Sequence, residues 1–212
     1  MPEARIEIEL DDGALDAFVA CPEPLGRSVP ILLLPDRFGL TAELEARARR
    51  LSAHNYFVMA PDLSGRPAED RREAASAAID YLADERRVDD TRVGLLGFGS
   101  GADLAVGLAA ARAERVAAVA AYGGRGAGPR TAREIASRIN AVVIIGYTFG
   151  VVPPRLGVLE GALCDAGVDF DIEVCDGEPD WPGLVDLFAR TLTQRTVDGN
   201  AAASQPVVAL NP

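Results

Sequence analysis

Hydrophobic and polar residues alternate from residue 5 to residue 21, with Ile6, Ile8 and Leu10 on one arm, Leu15, Ala17 and Val19 on the other, and Asp11-Asp12-Gly13 between them. A period of two broken by an Asp/Gly turn predicts a two-stranded antiparallel hairpin, which suits a sheet edge. After a polar loop punctuated by Pro and Gly (Pro22 to Ser28), the alternation gives way to short apolar runs: Val29 to Leu34, Tyr56 to Ala60, Val93 to Leu96, Val116 to Tyr122 and Ala141 to Ile145. Continuous apolarity over so few residues is the pattern of a strand covered on both faces. Phe170 to Cys175 is read as a last strand.

The segments between these runs have helical spacing. Thr41 to Ser52 opens with a threonine followed closely by glutamate, a helix start signal. Asp70 to Asp84 is built on Ala, Glu and Arg, with Ala74, Ile79, Tyr81 and Leu82 predicted to face inward. Ala102 to Arg112, a polar stretch from about Arg130 to Arg138, Arg155 to Ala166 stopped by Gly167, and Leu184 to Gln194 complete the set. Strands alternating with helices predict an α/β fold: a mostly parallel sheet with helices on both faces and an N-terminal antiparallel hairpin. Residues 1–195 are expected to form one domain, and 196–212, small and polar apart from Val207 to Leu210, a C-terminal tail that is disordered or packed on the surface.

Composition narrows the partners. The chain is 49% hydrophobic, yet it has no unbroken apolar run of the ~18 residues a membrane span needs, and the start MPEARIEIEL lacks a signal-peptide core. A cytoplasmic protein without membrane association is expected. Cys21, Cys164 and Cys175 are scattered without CxxC spacing, which predicts reduced structural thiols and no metal site. A net charge of -11 with both signs mixed along the chain argues against nucleic acid, whose phosphates demand clustered positive charge.

The stretch Val93-Gly94-Leu95-Leu96-Gly97-Phe98-Gly99-Ser100-Gly101-Ala102 concentrates the candidate chemistry. Its glycines fall between a predicted strand and a predicted helix, where α/β-hydrolases hold a nucleophile in the pattern Gly-x-nucleophile-x-Gly. Gly97 and Gly101 fill the outer places, so Gly99 stands at the centre and offers no attacking atom. Gly97-x-Gly99-x-x-Ala102 also satisfies a dinucleotide pattern, but that pattern expects an acid about 20 residues on. Ala120-Ala121-Tyr122-Gly123 stands there instead, so no nicotinamide, and no other cofactor, is expected.

Several motifs in order resemble the dienelactone hydrolase family of α/β-hydrolases over roughly residues 14 to 195: Leu34-Pro35-Asp36-Arg37-Phe38-Gly39-Leu40, Ala-Pro-Asp-Leu at residues 60 to 63, the Gly97 to Gly101 turn, Ala121-Tyr122-Gly123 and Val152-Pro153-Pro154. The resemblance implies a three-layer α/β-hydrolase fold, a sheet of about seven or eight strands, and a site at the strands' C-terminal ends where Cys, His and Asp open a lactone. It also implies three substitutions here. The family's cysteine falls on Gly99, its aspartate on Phe149 and its histidine near Asp180. The single histidine, His54, is expected in a turn at the opposite edge of the sheet, beyond hydrogen-bond reach of the elbow.

The residues expected around the site follow from this register. Ser100 as nucleophile would set Phe98 and Ala102 where glycines belong; as the residue after the vacant position, its backbone N–H and that of Arg37 would form an oxyanion hole. Asp36, Arg37, Phe38, Gly99, Ser100 and Trp181 are the candidate ligand-binding residues. Asp36 is either a pocket carboxylate or a turn aspartate. Asp36 and Asp180, with Tyr122 or Tyr147, are the candidate acid/base groups. Three readings stay open: a non-hydrolytic pseudoenzyme that keeps a small-molecule pocket, a repurposed enzyme of cyclisation, elimination or isomerisation, and a scaffold subunit that binds a protein partner.

Overall fold

The computed structural model describes residues 2–11, 13–23, 27–88, 92–148, 155–176 and 178–193. Eight strands form one sheet: β1 (Glu3–Leu10), β2 (Gly13–Ala20), β3 (Val29–Leu34), β4 (Tyr56–Pro61), β5 (Val93–Phe98), β6 (Val116–Tyr122), β7 (Val142–Thr148) and β8 (Phe170–Cys175). Their spatial order is β1-β2-β4-β3-β5-β6-β7-β8. The predicted hairpin pairs Leu10 with Gly13 and Glu3 with Ala20, and β2 runs antiparallel to β4; from β4 to β8 all pairings are parallel.

Among the described residues six helices cover the sheet: α1 (Ala42–Ser52), α2 (Ala68–Asp84), α3 (Ser100–Ala111), α4 (Pro129–Ala136), α5 (Leu156–Asp165) and α6 (Trp181–Phe188). Strand residues divide between two cores by their parity. Ile31, Leu33, Val58 and Leu96 face α1 and α6, while Leu32, Leu34, Met59 and Leu95 face α2 to α5. Such alternation is the pleat, and it explains why these runs contain no polar residue: both faces are covered. Phe188 of α6 lies across β5, where a side chain on Gly94 would meet its ring carbons at 2.8 and 2.9 Å.

Helix boundaries differ from expectation by one or two residues at α2 to α5 and by more at α6. Thr41 caps α1 as its sequence signals, Oγ1 accepting from Leu44 N at 3.2 Å. Gly167, at φ +69°, ends α5 as predicted, with its N–H and that of Val168 returned to the carbonyls of Cys164 and Leu163. The last helix, expected from Leu184 to Gln194, begins three residues earlier at Trp181 because Asp180 caps it; beyond Phe188 the chain widens into a π-helical turn, Ala189–Thr193. Residues 196–212 lie outside the described part. Among the described residues no helix is long and apolar enough to cross a membrane.

The Thr41 cap gives a direct check. Thr41→Ala is expected to cost about 1 kcal/mol, the usual worth of a side-chain N-cap, read as a lowered urea midpoint with an unchanged slope.

Candidate active site

The turn between β5 and α3 sits at the C-terminal ends of the parallel strands. Two glycines make it possible. A Cβ on Gly97 would overlap the Gly101 carbonyl, and one on Gly101 would overlap the carbonyls of Leu34 and Pro35 at the end of β3. Strand and helix therefore cross backbone to backbone, which fixes the register with Gly99 at the apex. Gly99 adopts φ +54°, ψ −118° and precedes the first helical residue; its N–H donates to Tyr122 O at 2.8 Å and its carbonyl accepts from Ala102 N at 3.1 Å. A side chain there would sit in a left-handed conformation that costs on the order of 1–3 kcal/mol. Its Cβ would also lie 3.2 Å from the Cβ of Asp36.

The Ser100 hydroxyl is engaged by a cation. Its Oγ accepts from Arg71 Nη2 at 3.1 Å, and a guanidinium, always charged and donor-only, cannot take a proton from it. His54 is exposed in the turn between α1 and β4. That turn lies at the N-terminal end of β4, two strands from β5, so the separation is along the strands rather than across to a sheet edge. A strand of that length spans ~17–20 Å.

The structure gives the two aspartates local duties. Asp36 Oδ1 accepts from Phe38 N at 2.8 Å, an Asx turn that shapes the loop after β3, and its Cβ borders the Gly99 apex. Asp180 Oδ2 accepts from Gly183 N at 3.2 Å as the N-cap of α6, and the residue is exposed. Phe149, at the place assigned to the family's aspartate, and Val152-Pro153-Pro154 lie outside the described residues. Arg37 stacks on Phe38, its Cζ 4.7 Å from the ring centroid, and Phe38 is 63% exposed.

The tyrosines separate. Tyr147 packs into the core under α2 to α5, whereas Tyr122 belongs to the core under α1 and α6, so they lie on opposite faces of the sheet. Tyr122, 5% exposed, stacks on Phe98 with ring centroids 5.8 Å apart. Its hydroxyl donates to Glu173 Oε2 at 2.8 Å. Glu173 Oε1 in turn accepts from Asp180 N at 2.6 Å and so anchors the segment leading into α6. Phe98, Tyr122, Gly146 and Glu173 occupy one register row across β5 to β8. A Cβ on Gly146 would overlap the Tyr122 ring, which is how the ring crosses β7 to reach β8.

This row was not visible in the sequence, because register between parallel strands is set by their crossovers; the one signal is an acid, Glu173, inside a strand. Burial, and then the Glu173 carboxylate, raise the Tyr122 hydroxyl well above its ordinary value. Trp181 is a core residue, 5% exposed. Its Nε1 donates to Glu178 Oε2 at 3.1 Å and Arg50 stacks on its ring at 4.3 Å. Arg47 covers Phe98 at 4.0 Å and donates to Glu178 Oε1 at 2.7 Å. Burial pushes the Glu178 carboxyl up, but Arg47, Trp181 and Arg50 together hold it below its ordinary value. Among the described residues no group of His, Cys, Asp and Glu could hold a metal ion.

The sequence model of the dienelactone hydrolase family matches residues 69–177, just over half of the chain, and the match spans the elbow. The chain belongs to the dienelactone hydrolase family. Solved structures of dienelactone hydrolase type share its fold. A dienelactone hydrolase-like promiscuous phosphotriesterase from metagenomic libraries superposes with a TM-score of 0.77 at 18% identity, covering 90% of this chain and 98% of that one. A dienelactone hydrolase from Anabaena variabilis gives 0.72 at 18% identity over 90% and 98% of the two chains. A 2,6-dihydroxy-pseudo-oxynicotine hydrolase gives 0.73 at 18%, over 92% of this chain and 69% of that one. No curated protein matches in sequence. Identities this low carry the fold and leave activity to the site itself.

Two measurements follow from this geometry. Gly99→Ala is expected to lose about 1–3 kcal/mol of stability from its positive φ, seen in urea unfolding. Unfolding free energy is also expected to fall as pH rises past about 10, the ordinary tyrosine value. There the unfolded chain releases phenolic protons that the fold retains on Tyr56, raised to about 12 by burial and Asp186, and on Tyr122, raised further. The contribution is full below that pH and drains away through the folded values. Tyr122→Phe should make the fall shallower; equal slopes in parent and variant would place the effect elsewhere.

Proposed function

We propose that this member of the dienelactone hydrolase family does not hydrolyse esters or lactones and instead keeps the elbow as a binding site for a small ligand bearing a carbonyl or carboxylate. The observation that carries this reading is Gly99 at the apex, in the backbone conformation of a nucleophile but without an attacking atom. Two further facts support it. Ser100 is bonded to an arginine rather than a base, and His54 stands at the far end of the sheet. Acid/base chemistry through Asp36 and Asp180 draws less support, since each carboxylate already accepts a backbone N–H in shaping a turn or a helix start.

What such a site retains is its donors. The N–H of Ser100 opens α3 and has no intrahelical acceptor, so it faces the position an oxyanion would take in a catalytic relative. The Arg37 N–H is proposed as its companion across the elbow. Neither depends on side-chain identity, so losing the nucleophile leaves the recognition of an oxygen intact. The helix dipole of α3 adds partial positive charge at the same point.

Purified protein is expected to show no saturable turnover of p-nitrophenyl acetate or dihydrocoumarin, and Gly99→Cys to react once at most, because the one histidine lies far from the introduced thiol and the neighbouring Asp36 already accepts the Phe38 N–H. Saturable turnover that persists through repurification would overturn the reading. Binding is checked separately by melting temperature against small lactones and carboxylates. A ligand at 100 times its Kd stabilises the fold by about 2.7 kcal/mol, a shift of several degrees. A flat response across the panel would remove the binding half of the reading.

A further inference from the structure

The two edges of the sheet are finished differently. Along β1 the residues of one face, Glu3, Arg5, Glu7 and Glu9, are all charged and exposed, the usual guard against pairing with a further strand. At the other edge β8 has a neighbour on one side only among the described residues. Val174 of β8 is 50% exposed, and it and Phe38 are the large hydrophobic side chains that stand in solvent among those residues.

Pairing with β7 fixes which backbone groups of β8 are left over. Val143 N donates to Asp169 O at 3.0 Å, and Val143 stands level with Phe170. Peptide groups alternate in direction along a strand, so Asp171, Glu173 and Cys175 follow Asp169 in turning toward β7. Phe170, Ile172 and Val174 turn their N–H and C=O groups outward. The same three side chains share one face, because side chains alternate with the same period. Phe170 and Ile172 are half-buried against the core under α2 to α5, and Val174 continues their row into solvent.

The acids of β8 lie on the reverse face and only one of them guards the edge. Both carboxylate oxygens of Glu173 are directed inward, Oε2 accepting from the Tyr122 hydroxyl two strands away at 2.8 Å and Oε1 from Asp180 N at 2.6 Å. Asp171 alone projects, and it is exposed. The edge is also complementary to itself. Laid antiparallel on a second copy about a two-fold axis through Ile172, it sets Ile172 against its own equivalent and Phe170 against the second copy's Val174. Each outward N–H then meets an outward carbonyl. On the reverse face Asp171 comes opposite a Glu173 whose charge is drawn away from the junction.

We infer that β8 is a dimerisation edge at which two copies of this chain join their sheets antiparallel, with Ile172 on the two-fold axis. Such self-complementary contacts are the commonest closed assembly, and an antiparallel pair is slightly stronger per residue than the parallel pairs inside the sheet. Repulsion between two chains of net charge -11 opposes the contact, so the dimer tightens as salt screens it. Dimerisation through β8 is independent of what the elbow binds.

Sedimentation velocity of the full chain over a wide range of concentration should show a reversible monomer–dimer equilibrium that moves toward dimer as salt is raised. Amide hydrogen exchange, read by NMR on the same samples, should slow at Phe170, Ile172 and Val174 as dimer forms, while Asp171 and Glu173, which turn toward β7, keep their rates. Val174→Glu should weaken the dimer about tenfold, because the two-fold axis counts each lost cross-strand pair twice. Phe38→Glu, which adds the same charge at the other exposed hydrophobic side chain, should leave it unchanged. If Val174→Glu does not fold, exchange in the unaltered chain still decides the question. A chain that stays monomeric at every concentration and salt overturns the pairing. So does a dimer in which those three amides exchange as fast as in the monomer, one that weakens with salt, or one that Phe38→Glu disrupts and Val174→Glu does not.

Discussion

The approach of three backbone segments at the elbow, the end of β5, the start of α3 and the end of β3, constrains everything around it. No side chain fits at Gly97 or Gly101, so the distance between strand and helix is set by carbonyl oxygens rather than by packing. Once that crossing is made, α3 must lie on the face it does, the apex must turn through positive φ, and the loop after β3 must pass beside it. Protein interiors relax poorly around excess volume, so the crossing outlasts changes in what the apex carries. A glycine there avoids the backbone strain that a residue with a side chain would carry at positive φ.

Much of the fold was legible because burial writes itself into composition. Val29–Leu34, Val116–Tyr122 and Phe170–Cys175 coincide with the strands predicted from their patterns, and the Thr41 cap and Gly167 stop fall where residue chemistry requires. What escaped was tertiary. Asp180 carries a local signal, an aspartate followed by tryptophan and proline, that reads equally as a loop acid or as a cap with proline in the first turn. Only the Gly183 N–H on its carboxylate decides between them.

The glycines of the elbow were legible in the sequence and the contacts around them were not. Gly99 and the single histidine could be read directly. The partnership of Tyr122 with Glu173, 51 residues apart, depends on two successive strand registers that no local pattern encodes. Arg71 on Ser100, and Arg47 with Glu178, likewise join elements that meet only in the folded chain. Tyr122 and Tyr147 seemed interchangeable as phenols near one place; the pleat puts them on opposite faces.

The missing side chain of Gly146 has a wider consequence. The Tyr122 ring lies in the volume that any residue larger than glycine at 146 would claim. The two positions therefore share one allotment of space, which this chain fills from β6. A larger residue at 146 would displace the ring whose hydroxyl fastens Glu173, and with it the anchor for the segment that enters α6. The loop that follows β8 is thus governed by a glycine on the neighbouring strand that never touches it.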